Sequence, residues 1–205
     1  GDPRDLHSFP TRRSSDLARA GNFGAVYRFF TPEKSFGVKV FIRQNFERQL
    51  RYQLVSDIVN ELKIANFLHF EYEEEGVQVN SEWFPILIME WGKGKTLDQY
   101  LEQSFKKSDS IDNQKLCDMF IEMMANMQEK QVAHGDLQHG NILINDEKMM
   151  LVDYDGLFVP SMEGMKSLEV GLPNYQHPSR DYSYFGPQID NFSAMVILID
   201  RKSVV

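Results

Sequence analysis

Three polar residues in the second half of the chain have the types and spacing of a metal-dependent catalytic site. Asp136 is followed five positions later by Asn141, and Asp153 comes twelve positions after that. All three can supply oxygen ligands, which suit a hard cation such as Mg²⁺ that binds one or two carboxylates together with phosphate oxygens. The spacing predicts that Asn141 and Asp153 hold Mg²⁺ while Asp136 stays free to act on a substrate hydroxyl.

A glycine-containing segment and a lysine near the start of the chain would add a nucleotide site. In G-N-F-G-A-V-Y (21–27) the glycines carry no Cβ, so backbone amides there can approach phosphate oxygens. Lys39 follows in G-V-K-V, on the third predicted strand. The candidate binding residues of the glycine segment are Gly21, Asn22, Phe23, Gly24 and Val26.

Taken in order, these segments resemble the motifs of the protein-kinase superfamily, in particular a bacterial serine/threonine-kinase-like catalytic domain. H-G-D-L-Q-H-G-N (134–141) resembles the catalytic loop H-R-D-x-x-x-x-N, and L-V-D-Y-D-G (151–156) resembles the metal loop around D-F-G. Further on, L-P-N-Y-Q-H-P (172–178) lies where A-P-E closes the activation segment, and D-N-F-S (190–193) resembles the D-x-W-S that opens the central helix of the large lobe. The resemblance covers essentially all of residues 18–199.

The resemblance implies a bilobal α+β fold with ATP and Mg²⁺ as cofactors. A small antiparallel-sheet lobe would span about 18–91, and a mainly helical, truncated large lobe would begin at about 92. The run I-L-I-M-E-W-G would join them, with Met89 as gatekeeper and backbone groups of Glu90 and Gly92 binding the adenine.

The resemblance also assigns roles to the charged residues. Lys39 would orient the α- and β-phosphates, held by Glu61, with Glu47 as the competing partner. Asp136 would accept the proton of the acceptor hydroxyl, and Gln138 would donate a hydrogen bond to the γ-phosphate. The candidate catalytic residues are therefore Asp136, Lys39, Glu61 and Gln138, and the candidate metal ligands are Asn141 and Asp153.

Three departures from the kinase pattern affect these expectations. Gly135 replaces the arginine beside the catalytic aspartate, so activation by loop phosphorylation is not expected. Asp155 replaces the glycine of D-F-G and Gly156 follows it, which predicts a turn shifted by one residue. Gln138 replaces a lysine, so this position carries no charge to stabilise the transition state.

The departures leave three functions open. The first is a Mg·ATP-dependent serine/threonine protein kinase with a protein substrate. The second is a small-molecule kinase, because H-G-D-L-x-x-G-N is also similar to the loop of aminoglycoside and choline-type phosphotransferases. The third is a pseudokinase that acts as a binding module, which Gln138 favours and the intact Lys39, Asp136, Asn141 and Asp153 oppose.

The hydrophobic pattern predicts the elements that would position these residues. Strands are expected within 21–42, with a turn at residues 31–34, at 83–91, and at 142–144 and 150–152, and an acidic hairpin tip at 71–81. A helix is expected at 47–70, with Leu54, Ile58, Leu62 and Ala65 facing the core. Further helices are expected from Thr96, at 112–131, with Leu116, Phe120, Met123 and Met127 at helical spacing, and from 191.

Composition excludes several classes of protein. The chain has 205 residues, a net charge of −8 and one cysteine. The single cysteine excludes a disulfide framework and a cysteine-rich zinc site, and the acidic balance argues against nucleic-acid or anionic-membrane partners. The expected compartment is the cytoplasm, with no membrane contact.

Both ends of the chain differ from the rest. Arg4–Leu17 (R-D-L-H-S-F-P-T-R-R-S-S-D-L) resembles the translation of a sequencing-library adapter, and Asp200–Val205 (D-R-K-S-V-V) resembles its reverse complement in another frame. The alternative is a disordered basic arm and a natural C-terminus. Residues 1–17 and 200–205 are therefore expected to lie outside the natural domain, and 18–199 to be a partial catalytic domain, inactive as a fragment.

Overall fold

The structure is a computed structural model that describes residues 15–20, 24–41, 46–107, 113–145 and 148–202. The described chain divides into two compact units. The first comprises the described residues among 1–49 together with 69–91, and the second comprises those of 50–68 and 92–205. No helix in the described part of the chain is both long enough and apolar enough to span a bilayer.

The first unit is built on five antiparallel strands: β1 (Ser15–Ala20), β2 (Gly24–Phe30), β3 (Ser35–Phe41), β4 (Phe70–Val79) and β5 (Glu82–Glu90). They pair in the order β1-β2-β3-β5-β4. The apolar side chains that the sheet buries come from β2, β3, β4 and β5; they include Ala25, Phe41, Phe70, Ile86 and Leu87.

The turn between β2 and β3 forms where the sequence predicts it. The Thr31 hydroxyl accepts the amide of Lys34 at 2.9 Å, which closes the turn. Strand β1 begins at Ser15, and Ser15, Asp16 and Leu17 pair with β2, so the segment that resembles adapter sequence reaches into the sheet. Its origin stays a prediction.

The predicted acidic hairpin tip at 71–81 is wrong. Most of this segment is strand β4, and the reversal is made by Asn80 and Ser81, both at positive φ. Because β4 is an edge strand, its glutamates reach solvent and discourage pairing with other chains. A register shift between Glu73 and Val77 accommodates Gly76.

The predicted helix at 47–70 ends eight residues earlier than expected, since α1 spans Phe46–Leu62. Lys63 takes a positive φ of 46° and stops the helix. The residues that follow are hydrogen-bonded to distant parts of the second unit: the Leu68 backbone amide donates to the Tyr154 hydroxyl at 2.7 Å, and the Asn66 side-chain Nδ2 donates to the Met149 carbonyl at 2.9 Å. Tertiary hydrogen bonds therefore replace those of a longer helix.

The predicted buried stripe of α1 is also wrong. Leu54, Ile58 and Leu62 are half-buried and Ala65 is exposed. The buried positions of the helix lie on another face; within the second unit they are Arg51, Tyr52, Val55, Ser56 and Val59. Apolar periodicity failed because an arginine and a tyrosine with tertiary partners occupy the buried face.

The second unit combines helices with a small three-stranded sheet of order β6-β7-β8. On α3 the predicted stripe of Leu116, Phe120, Met123 and Met127 is buried, as expected. The sheet and helices together confirm the predicted α+β class. The elements are β6 (Lys95–Thr96), α2 (Leu97–Lys107), α3 (Asn113–Glu129), β7 (Ile142–Ile144), β8 (Met149–Leu151) and α4 (Asn191–Lys202), with single 3₁₀ turns at His139–Asn141, Tyr154–Gly156, Pro160–Met162 and Pro173–Tyr175.

Candidate active site

A buried carboxylate anchors the loop that follows α3. Asp190, directly before α4, accepts the backbone amide of Gly135 at 2.9 Å on one oxygen and the amide of His134 on the other. Burial raises the pKa of Asp190, while the neighbouring His134 and Arg180 and the two amide bonds oppose that rise. The His134 ring is fully buried, with Nε2 2.9 Å from the Val152 carbonyl. The loop backbone is thus tied to two other segments.

Gly135 packs against Gly156 of the metal loop so closely that no side chain fits. Gly135 has a φ of 81°, and a Cβ built on it would lie 2.1 Å from the Gly156 carbonyl oxygen. The arginine expected from the kinase pattern is therefore incompatible with this backbone.

We expect Gly135→Ala to destabilise the protein by about 4 kcal/mol, because a positive φ and a backbone clash both oppose the methyl group. Gly164→Ala is the matched control: Gly164 has a φ of 83° but nothing within 4 Å of the Cβ position. Its cost should be the backbone strain alone, about 1 kcal/mol. Urea unfolding of both variants measures the difference, and equal losses would contradict the packing argument.

Asp136 is half-buried, and donors from three directions hold its carboxylate. Oδ1 accepts the backbone amide of Leu172 at 2.8 Å. Oδ2 accepts Gln138 Nε2 at 2.7 Å and Asn141 Nδ2 at 3.2 Å. A carboxylate with these donors keeps one orientation, as a general base must. The Gln138 amide nitrogen thus contacts this carboxylate, an interaction that the sequence did not predict.

The orientation of Asn141 fits a metal ligand. Its Nδ2 also donates to the Asp136 carbonyl at 2.9 Å, so the amide nitrogen faces Asp136 and Oδ1 is the atom available to a cation. The Val152 amide donates to the Asn141 carbonyl at 3.0 Å, which brings the residue before Asp153 alongside Asn141. Among the described residues no three His, Cys, Asp or Glu side chains form a metal cage. The two oxygen donors suit Mg²⁺, which completes its coordination with phosphate and water.

Asp153 itself lies at the entry of the 3₁₀ turn, with a left-handed backbone at φ 67° and ψ 78° and an exposed side chain. The two residues that depart from D-F-G have separate contacts. Asp155 accepts a hydrogen bond from the Tyr52 hydroxyl of α1, and Gly156 makes the close approach to Gly135. The packing of the loops around Gly135 and Gly156 therefore requires a glycine at position 156, one residue later than the kinase pattern places it.

The segment that resembles the end of the activation segment lies beside the Asp136 carboxylate. Leu172 supplies the amide bonded to Asp136, and residues 172–174 are exposed. Tyr175 fixes this segment, because its hydroxyl lies 2.7 Å from His139 Nδ1 and its carbonyl accepts the Ser193 hydroxyl at 2.7 Å. The Asp136 carboxylate is thus bordered by an exposed, anchored stretch of backbone.

The first unit places several of the predicted nucleotide-binding residues on one face of its sheet. Val26 pairs directly with Lys39, Lys39 with Leu87, and Met89 lies two residues beyond Leu87. Because paired residues and alternate residues share a face, Val26, Lys39 and Met89 point to the same side. Gly24 is also required by packing, since a Cβ there would lie 2.6 Å from the Val40 carbonyl oxygen.

The remaining candidates are Glu90, Glu61, Gly92 and residues 21–23. The Glu90 amide donates to the His69 carbonyl at 3.1 Å, so only its carbonyl remains for an adenine. Glu61 is exposed in the last turn of α1, and its pairing with Lys39 stays a prediction. Gly92 begins the second segment of the second unit. Gly21, Asn22 and Phe23 lie outside the described residues.

Sequence reasoning missed three contributions to the site. The Leu172 backbone amide has no signature, because every residue but proline carries one. Asp190 was noted as the start of a helix motif, and that motif could have suggested its anchoring role. Arg180 gave no signal, although its guanidinium reaches the Gly135 carbonyl.

The chain was also compared with known proteins. Comparison with curated proteins finds no match. The sequence profile of the protein kinase domain matches residues 19–201, nearly the whole chain and all of the segments described above. The chain therefore belongs to the protein kinase domain family.

Proposed function

We propose that this chain belongs to the catalytic domain of a Mg·ATP-dependent serine/threonine protein kinase. The observation that carries the proposal is the Asp136 carboxylate, held by Leu172, Gln138 and Asn141 in one orientation at the end of an exposed segment. A carboxylate with this support can accept the proton of an acceptor hydroxyl. Mg·ATP, when bound, supplies the phosphoryl group and neutralises its developing charge.

The chain's own residues divide the remaining tasks. Asn141 Oδ1 and Asp153 are the proposed Mg²⁺ ligands, and Lys39 is the proposed cation for the phosphates. Gln138 is proposed to hold the base, with its contact to the γ-phosphate as a second role. Positioning and electrostatic stabilisation provide the rate, because phosphoryl transfer requires little covalent chemistry from the protein.

A protein acceptor is favoured by the surface beside the base. Residues 172–174 are exposed and border Asp136, so an extended peptide can approach the carboxylate there. Serine or threonine as the acceptor rests on family analogy. The cytoplasmic location expected from the sequence stays a prediction.

Substitutions at Gln138 test the proposal. We expect Gln138→Ala to lower kcat by about 10- to 100-fold, because it removes a hydrogen bond to a charged group. Gln138→Lys should preserve or raise phosphate transfer to a protein acceptor, since the ammonium can donate to the same oxygen and adds charge. Initial rates of the full-length protein with a serine/threonine peptide mixture and with aminoglycoside or choline acceptors measure both effects.

The outcomes separate the three functions. If the wild type phosphorylates a small molecule and Gln138→Lys abolishes this activity, the protein is a small-molecule kinase and the proposal is wrong. The reason is that the longer cation would intrude on a compact acceptor site. The protein is a pseudokinase if the wild type binds Mg·ATP but transfers phosphate to neither peptides nor small molecules, and if Asp136→Asn behaves in the same way.

A further inference from the structure

One arginine outside the family motifs contacts the backbone of the catalytic loop. Arg180 follows the L-P-N-Y-Q-H-P segment, and its guanidinium is half-buried. Nη1 donates to the Gln176 side-chain oxygen at 2.9 Å, and Nη2 donates to the Gly135 carbonyl at 3.3 Å. A longer contact of 3.5 Å joins Nη2 to the Glu169 carbonyl. A single side chain thus connects the catalytic loop with two points of the downstream segment.

The backbone at Gly135 explains why this cation comes from downstream. A Cβ at Gly135 would collide with Gly156, so residue 135 cannot carry an arginine in this conformation. A guanidinium beside the Gly135 carbonyl must therefore come from another part of the chain. Arg180, 45 residues away in sequence, is the residue that reaches it.

The charges around Arg180 give it a second role. Asp190 is 2% exposed and accepts the amides of His134 and Gly135. The ionisable groups that face Asp190 are His134 and Arg180, and those that face Arg180 are Asp190, Asp136, Glu169 and Tyr184. An ionised carboxylate at this depth is costly without a cation. Of the two groups that face Asp190, Arg180 is the one that always carries a positive charge, and its charge favours the ionised carboxylate.

We propose that Arg180 is a positioning residue for the catalytic loop, which it holds through the Gly135 carbonyl and through the charge of Asp190. This inference rests on the proposed function only where it concerns turnover. The effect on the loop itself can be measured without any activity.

Hydrogen exchange of the His134 and Gly135 amides in the full chain tests the proposal. In Arg180→Met, which keeps an unbranched apolar side chain, we expect both amides to exchange about tenfold faster. Arg180→Lys should restore part of the protection, because an ammonium still neutralises Asp190. Arg51→Met is the matched control: Arg51 is also buried and donates to a backbone carbonyl outside the catalytic loop, that of Lys166. Unchanged exchange in Arg180→Met, or equal acceleration in Arg51→Met, would overturn the proposal.

A double-mutant cycle keeps the proposal testable if Arg180→Met folds poorly. The substitution should lower Tm less in the Asp190→Asn background than in the wild type, because the buried charge that Arg180 neutralises has been removed. An equal loss of Tm in both backgrounds would overturn the charge argument.

If the wild type transfers phosphate, kcat of Arg180→Met should fall with nucleotide KM nearly unchanged; a rise in KM alone would contradict a role in the catalytic loop. A full-length wild type without any transfer would overturn the proposed function and leave the exchange result valid.

Discussion

Asp136→Asn is expected to lower turnover by about 10²- to 10⁴-fold while nucleotide binding changes little, because it removes the group that takes the acceptor proton. The structure sharpens this expectation. Both carboxylate oxygens accept hydrogen bonds, Oδ1 from Leu172 and Oδ2 from Gln138 and Asn141. An asparagine has one oxygen, so its NH₂ group would face an N–H donor on one side. The substitution therefore removes the base and disturbs its support.

In the full-length protein, single-turnover phosphate transfer and the affinity for a fluorescent ATP analogue measure the two effects separately. Asp118→Asn is a matched control, because Asp118 is an exposed carboxylate on α3 that accepts Gln114 Nε2 at 2.7 Å. It should transfer phosphate at the wild-type rate. An Asp136→Asn protein with wild-type turnover would exclude Asp136 as the base.

Asp153→Asn is expected to raise the Mg²⁺ concentration needed for half-maximal rate by about 10-fold or more and to lower turnover by about 10²-fold. The cause is the loss of a charged oxygen ligand. Backbone strain is not a confounding cause, because Asn tolerates the left-handed conformation that residue 153 adopts at φ 67°. The variant should therefore fold like the wild type.

Asp155→Asn is the matched control for this substitution. It removes the same charge two residues away and retains an oxygen that can accept the Tyr52 hydroxyl. Mg²⁺ titrations of nucleotide binding and of the rate compare the two variants. If both require the same additional Mg²⁺, a general loss of negative charge is the cause and Asp153 is not a ligand.

The order of the motifs was enough to predict the family and the α+β class, and the match to the protein kinase domain confirms the family. The positions of β5 and α3 were also predictable, because a continuous apolar run and a regular stripe are strong local signals. The prediction for α1 was wrong both in where the helix ends and in which of its faces is buried. Arg51 and Tyr52 are polar in sequence but buried in the fold, where Lys166 and Asp155 accept their hydrogen bonds.

The departures from the kinase pattern show the same limit. From the sequence alone, Gly135 and Asp155 could only be recognised as exceptions to the kinase motifs. In the structure the first is required because the Gly156 backbone leaves no space for a Cβ, and the second accepts the Tyr52 hydroxyl. Neither reason is local, since the interacting residues are far apart along the chain.

What the sequence by itself determined was the chemistry: which side chains can bind Mg²⁺, accept a proton or approach a phosphate, since these depend on residue type and spacing within one loop. What only the tertiary structure decided was how the base is held. The Leu172 amide, the Asp190 carboxylate and the Arg180 guanidinium lie 36, 55 and 45 residues from the loop positions they contact. These groups come together because of the path that the folded chain takes. That path is set by the packing of buried backbone, which produces no periodicity and no motif in the sequence.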